Sequence, residues 1–265
     1  MKELSPEEIK KIELDLLLDI AEFCKEHGIT YYLAYGTLIG AARHQGFIPW
    51  DDDIDLQMPR PDYERFIQIY NEKKRKTHYY AVSPHDSIAR HTFVKVIDTD
   101  TVKIEPGIDY GNHYLGVDID IFPLDGQPDR ERKYKRLYRR KKIIYLLHYC
   151  KLMGKNARRR SVRFIAFFAK AIRMERLLLM ADHLSGKYPW KTSKYVGSIA
   201  SFYNSKKNRF RKEWYEATVP ILFEGHYFTA PAGYDHILKT LYGAYMELPP
   251  VDQQVTHHVN KAYRK

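Results

Sequence analysis

The chain has 265 residues, 44% hydrophobic and 14% aromatic, with two cysteines and a net charge of +11. That length allows one large domain or two small ones with a real core, and two cysteines exclude a disulfide framework or a cysteine-based zinc site. No apolar run approaches the roughly 18 residues of a membrane span, and the charged N-terminus lacks a signal peptide's apolar stretch, so a cytoplasmic protein is expected.

The first element is predicted as a helix from Pro6 to near Gly28. Ser5 is its N-cap, Pro6 takes the first helical position and Glu8 completes a capping box. Ile9, Ile12, Leu16, Leu17, Ile20 and Phe23 mark one apolar face. Tyr31 to Tyr35 reads as a short strand broken by Gly36-Thr37, and Leu38 to His44 as a second helix. Ile54 to Met58 is a strand stopped by Pro59 and Pro61, followed by a helix over Asp62 to Lys74. Phe93 to Ile97 and Gly116 to Phe122 are further strands, with Asp125 in the turn after Pro123. Arg130 to Lys151 and Ser161 to Ser185 read as two basic amphipathic helices. Trp214 to Phe228 reads as a hairpin around Glu224-Gly225, and Tyr234 to Tyr242 as a last helix ending at Gly243. The expected organisation is α+β: a mixed-sheet core over 1–127, a basic helical insertion over 128–190, and a C-terminal part over 191–265 packing back on the core.

The chemistry is concentrated in IPWDDDIDL, Ile48 to Leu56, where Asp51, Asp52, Asp53 and Asp55 stand among apolar neighbours. Unpaired buried carboxylates cost several kcal/mol each, so a cation should offset them. On a strand Asp53 and Asp55 share a face with Cα atoms about 6.5 Å apart, a spacing that suits a shared divalent cation with hard oxygen ligands. A solvated acidic turn fits the apolar flanks poorly. An EF-hand loop would need glycine where Leu56 stands and Glu where Asp62 stands. A glycosidase pair normally draws its carboxylates from different elements. A second acidic strand, GVDIDIFPLDG, puts Asp118 and Asp120 on one face and offers a third ligand. Upstream, AYGTLIGAARHQG has strand, glycine, threonine and helix in the order of a phosphate cradle. Together these outline a nucleotidyltransferase-type active site.

YGTLIGAARHQGFIPWDDDIDLQMPRPDY closely resembles the signature of LicD-type phosphotransferases. The resemblance continues through FVKVIDTDT, GVDIDIFPLDG and YGAYMELPP, then His257-His258, so it spans nearly the whole chain; fukutin-related protein is more distantly similar. It implies a nucleotidyltransferase-like fold and Mg²⁺-dependent cleavage of a CDP-activated alcohol, with one or two ions and Mn²⁺ as a substitute. CDP-choline is the implied donor, and a teichoic acid precursor, lipopolysaccharide or related glycan, in some cases lipid-linked, the implied acceptor. Asp53, Asp55 and Asp120 match the family's metal-binding carboxylates, and Asp51 and Asp52 its acidic lead-in. Gly36, Thr37 and Arg43 match the phosphate-side motif, Lys95 the basic residue of the intervening strand, and His258 the terminal motif. The basic residue often found after LPP is absent here. For a choline headgroup, Trp50, Tyr35, Tyr110 and Tyr114 are candidate aromatic faces. Transfer of ribitol or glycerol phosphate, or a nucleotidyltransferase proper, stays open.

The charge is uneven. Between Arg130 and Arg176 there are 18 Lys and Arg against 2 Asp and Glu, and the rest of the chain is net acidic. This segment points to an anionic partner, with peripheral contact at the inner face of the membrane as the expected form. Nucleic acid would use the same charge but gives no reason for the acidic strands, and is not expected.

Overall fold

A computed structural model of the chain describes residues 1–105, 115–153, 160–169, 171–200, 207–255 and 261–265. After a two-residue strand β1 (Lys2–Glu3), helix α1 (Pro6–His27) starts as its sequence dictates. The Ser5 hydroxyl accepts the Glu8 amide, the Glu8 carboxylate accepts the Ser5 amide, and Gly28 closes the helix at φ 60°. Its apolar stripe, with Leu16, Leu17, Ile20 and Phe23 fully buried, forms part of the main core.

The central sheet combines β2 (Tyr32–Leu33), β3 (Asp55–Pro59), β4 (Tyr79–Val82), β5 (Val94–Asp98) and β7 (Asp118–Gln127) in the order β2-β3-β7-β5-β4. β3 and β7 are parallel and the other neighbours antiparallel. Every residue of β3 and β5 is buried, as expected of interior strands covered on both faces. β7 runs past Pro123, where the sequence suggests a stop. On that edge, pairing with β5 ends at Ile121 and pairing with β8 (Tyr195–Gly197) begins at Asp125. Pro123 falls in the gap, where a missing amide is tolerated. Asp125 is therefore a strand residue rather than a turn residue, fully buried and bound by Arg60 Nε at 2.6 Å. β8 also pairs β9 (Phe210–Arg211), so the C-terminal part extends the sheet that carries β3 and β7.

Helix α2 (Tyr35–His44) starts three residues earlier than the Gly36-Thr37 dipeptide suggests. Both residues lie in its first turn, where the amides have no helical partner to lose. Tyr35 has φ 45°, a left-handed backbone unusual for a bulky side chain. Its hydroxyl accepts from Gln57 Nε2 at 3.0 Å and from Asn208 Nδ2 at 3.2 Å, which fixes the ring in the core. Helix α3 (Arg60–Lys73) follows β3 directly, with Pro61 in its first turn.

A second sheet joins β1, β6 (Thr101–Ile104) and β12 (Lys261–Arg264). Helices α4 (Glu131–Met153), α5 (Arg160–Ala169) and α6 (Met174–Ser185) follow β7. The second predicted basic helix is thus two helices. α4 packs against both α5 and α6. The hairpin β10 (Thr218–Phe223) and β11 (His226–Pro231) turns at Glu224 and Gly225, both at positive φ as a tight hairpin turn requires. Helix α7 (Tyr234–Tyr242) ends at Gly243, φ 74°.

Candidate active site

β3 and β7 leave the loops before them at the same level of the sheet, and the parallel register sets Asp55 directly opposite Asp120. Asp55 is 5% exposed. Its carboxyl is pushed well above the ordinary range, first by burial and then by Asp53, Asp120 and Asp51, with Lys95 pulling the other way. Asp51, Asp53 and Asp120, from two chain segments, therefore all act on Asp55 electrostatically; β3 begins at Asp55, so Asp53 precedes the strand and does not alternate with Asp55 along it as the sequence suggests. Asp120 is half-buried, and burial holds its carboxyl up at about 7 despite Lys95.

The first turn of α2 adjoins this cluster. The Thr37 hydroxyl accepts the Asp55 amide at 2.8 Å, and Thr37 is 4% exposed. Thr37 thus fixes the backbone that presents Asp55. A Cβ at Gly36 would lie 2.5 Å from Asp51 Oδ2, so a side chain there would displace the Asp51 carboxylate from the helix start, where anions are favoured. The Asp51 amide closes a turn onto Ile48 O at 2.9 Å, which returns the acidic loop toward α2. Asp52 is half-buried beside Asp53. Trp50 is half-buried against the core, with its ring edge-on to His44 at 6.4 Å.

Lys95 stands opposite Asp120 in the antiparallel β5–β7 ladder. Its ammonium contacts the Asp118 carboxylate, donates to Asp120 Oδ1 at 2.6 Å and lies 3.6 Å from Glu105 Oε1. Lys103 on β6 donates to the other Asp118 oxygen at 2.7 Å. Burial opposes ionisation of Asp118, but Lys103 and Lys95 hold its carboxyl down at about 2. Glu105 is likewise held well below the ordinary range by Lys95 and His91 against its burial, and His91 Nε2 lies 3.5 Å from Glu105 Oε2. Asp118 and Asp120 therefore diverge. Both oxygens of Asp118 are engaged by lysines, whereas Asp120 faces the crowded side with Asp55. Asp53 and Asp120 press electrostatically on Asp55, a repulsion that a divalent cation would relieve, but among the described residues it is His78, Asp98 and Asp100, not these aspartates, whose ligand atoms all lie within 4.8 Å of one another.

Arg43 lies on the last turn of α2. Its Nη1 donates to Tyr245 O at 2.7 Å and Glu247 O at 3.0 Å, and its Nε to His44 at 2.9 Å. It ties the YGAYMELPP segment to α2 and is not among the groups gathered around Asp55. His258, Tyr110 and Tyr114 lie outside the described residues, and Tyr35 is 2% exposed.

Sequence reasoning missed Lys103, Glu105, His91 and Glu13. Lys103 carries the same signal as Lys95, a lysine between two β-branched apolar residues. Glu13 sits on the buried stripe of α1, one residue after Ile12 and three before Leu16. It is fully buried, both its oxygens lack hydrogen-bond partners among the described residues, and burial drives its carboxyl well up. Asp53, Asp118 and Asp52 add to that push and Lys103 opposes it.

A family model described as "LicD/FKTN/FKRP, nucleotidyltransferase domain" matches residues 28–158, which include β3, β5, β7 and α2. The chain is 33% identical over 274 aligned positions to the "Lipopolysaccharide cholinephosphotransferase LicD" of Haemophilus influenzae, covering 99% of each chain. It is 42% identical over 60 residues to an uncharacterised protein of Rickettsia typhi, covering 23% of this chain and 19% of that one. With similarity running end to end, the chain belongs to the LicD family and is a transferase of that type.

Proposed function

We propose that this protein transfers phosphocholine from CDP-choline to a sugar hydroxyl of lipopolysaccharide or a related surface glycan, releasing CMP. The observation that carries the reaction class is the in-register pairing of Asp55 with Asp120, joined by Asp53, beside the first turn of α2. The headgroup is supported by the name of the Haemophilus influenzae relative.

Asp53, Asp55 and Asp120 would hold one or two Mg²⁺ ions, or Mn²⁺ in their place. Bound there, such a cation would supply positive charge to the donor pyrophosphate. The protein's own part is positioning and electrostatics. The α2 amides and Lys95 face the same region and favour its negative charge. Asp118, fixed by Lys95 and Lys103, holds the Lys95 ammonium in place. Thr37 keeps Asp55 in register, and Arg43 acts at longer range by fixing the C-terminal motif on α2. The acceptor oxygen bonds to the distal phosphorus, the bond from that phosphorus to the bridging oxygen breaks, and CMP leaves. The hydroxyl proton passes to a carboxylate of the cluster. Asp51, Asp52, Trp50 and His258 complete the substrate surface, and the acceptor glycan is carried on a lipid.

The test is CMP release, followed by chromatography, with Mg²⁺, lipopolysaccharide and CDP-choline, CDP-ribitol or CDP-glycerol in turn. CMP formed from CDP-choline only when acceptor is present, and lost in Asp55→Asn, is the expected result. CMP from CDP-ribitol or CDP-glycerol alone would move the headgroup. Acceptor-dependent release of pyrophosphate from CTP would contradict the reaction class.

A further inference from the structure

Helix α5 puts its aromatic residues on the wrong side for a core. Phe164, Phe167 and Phe168 recur at helical spacing and are 67%, 69% and 58% exposed, while Ala166 and Ala169 on the other side are buried. The Phe168 ring touches both others, with centroids 5.1 Å from Phe164 and 5.5 Å from Phe167, and the three form one apolar ridge. α4 and α6 continue the pattern. Ile143, Leu146 and Tyr149 project from α4, and Leu179 and Met180 from α6. Ile143, Leu179 and Met180 line an open groove bordered by Arg140 and Arg176. An exposed apolar face on this scale marks an interaction site.

What surrounds the face identifies its partner. Arg139, Arg140, Lys142, Arg163, Arg173 and Arg176 are all exposed on the same three helices. Acid on them is sparse: Glu131 lies at the far end of α4, Glu175 is paired to Arg173 at 2.9 Å, and half-buried Asp182 is bound by Arg60 at 2.7 Å. Apolar rings beside guanidinium and ammonium groups match a bilayer surface, where anionic headgroups lie above acyl chains. A nucleic acid would meet the charges but bury few of the aliphatic side chains.

We infer that α4, α5 and α6 form a peripheral membrane-docking face, with the Phe164, Phe167 and Phe168 ridge inserted among anionic lipid headgroups. The opposite side of α4 reaches the catalytic sheet. Tyr145 OH donates to Thr92 Oγ1 at 3.0 Å, and His148 Nε2 bonds Arg90 O at 2.8 Å, just before β5 and Lys95. The docking helix is thus braced against the loop that leads into β5, the strand that carries Lys95.

The test is co-sedimentation of the full chain with vesicles of equal parts phosphatidylcholine and phosphatidylglycerol, against pure phosphatidylcholine. Binding to the anionic vesicles alone is expected, weakened by salt. The triple variant Phe164→Ser/Phe167→Ser/Phe168→Ser should lower the partition coefficient by ~100-fold, given three rings removed from the interface. Arg140→Gln/Arg163→Gln/Arg176→Gln, which leaves the rings in place, should lower it by ~10-fold or more. Turnover of a water-soluble acceptor should be unchanged in both, which separates this face from the chemistry. Failure to bind anionic vesicles would overturn the inference. So would equal binding by the triple Phe variant, a dimer in light scattering that the Phe variant dissolves, or ring-dependent capture of duplex DNA.

Discussion

Lys95 is the residue on which the acidic cluster depends. It touches Asp118 and Asp120 from a position 4% exposed, so each carboxylate relies on it for part of its ionised state. Removing one partner of a buried charge network leaves the others uncompensated, at a cost of about 3 kcal/mol. Lys95→Met should therefore lower the unfolding free energy by about that amount in a urea titration at neutral pH. Unchanged stability would show that the ammonium does not hold the cluster. The lysine's partnership was legible in the sequence, because a lysine inside an apolar strand needs a carboxylate. Which carboxylates was not legible, since the ladder register decides it, and register is a property of three strands at once. Arg43 teaches the same point from the other side. Its place in the motif suggests a phosphate ligand, but its helix turn faces the carbonyls of Tyr245 and Glu247, some 200 positions away in the chain.

At the scale of elements, the local signals were read correctly where they are local. The Ser5–Glu8 box, Gly28, the Glu224-Gly225 turn and Gly243 all sit where side-chain chemistry and backbone sterics put them. The errors arise where tertiary pairing overrides a local breaker. β7 crosses Pro123 because the edge facing β5 and β8 is unpaired there while the β3 edge keeps Pro123 in register with Met58, and α2 takes Gly36 into its first turn with Asp51 packed against it. The bracing of α4 on the loop before β5 gives a prediction at this scale. Burial holds His148 at about 4, with a small further push from His91. A lowered histidine pKa stabilises the folded, neutral form above the unfolded value of about 6.5. That stability is lost as pH falls from about 6.5 through about 4, by on the order of 3 kcal/mol in total. Thermal unfolding followed between pH 7 and pH 4 should show this loss, and His148→Gln should flatten it. An identical pH profile in the variant would mean that the imidazole is not the titrating group.

The whole molecule joins two surfaces of opposite character. The central sheet concentrates negative charge around Asp55, and the segment from Arg130 to Arg176 that follows β7 carries 18 of the chain's 44 Lys and Arg against 2 acidic residues. The sequence already separates the two by composition, since one 47-residue segment outweighs the acidic remainder. What it could not show is that α4 connects them, because the Tyr145 and His148 contacts to Thr92 and Arg90 span more than 50 residues. The proposed reaction depends on the acidic cluster binding metal and pyrophosphate together. Titration calorimetry with CDP-choline, with and without Mg²⁺, on the wild type and Asp53→Asn, addresses that directly. Mg²⁺-dependent binding in the wild type, abolished by Asp53→Asn, is the predicted result. The absence of Mg²⁺-dependent binding for CDP-choline, CDP-ribitol and CDP-glycerol alike would contradict it.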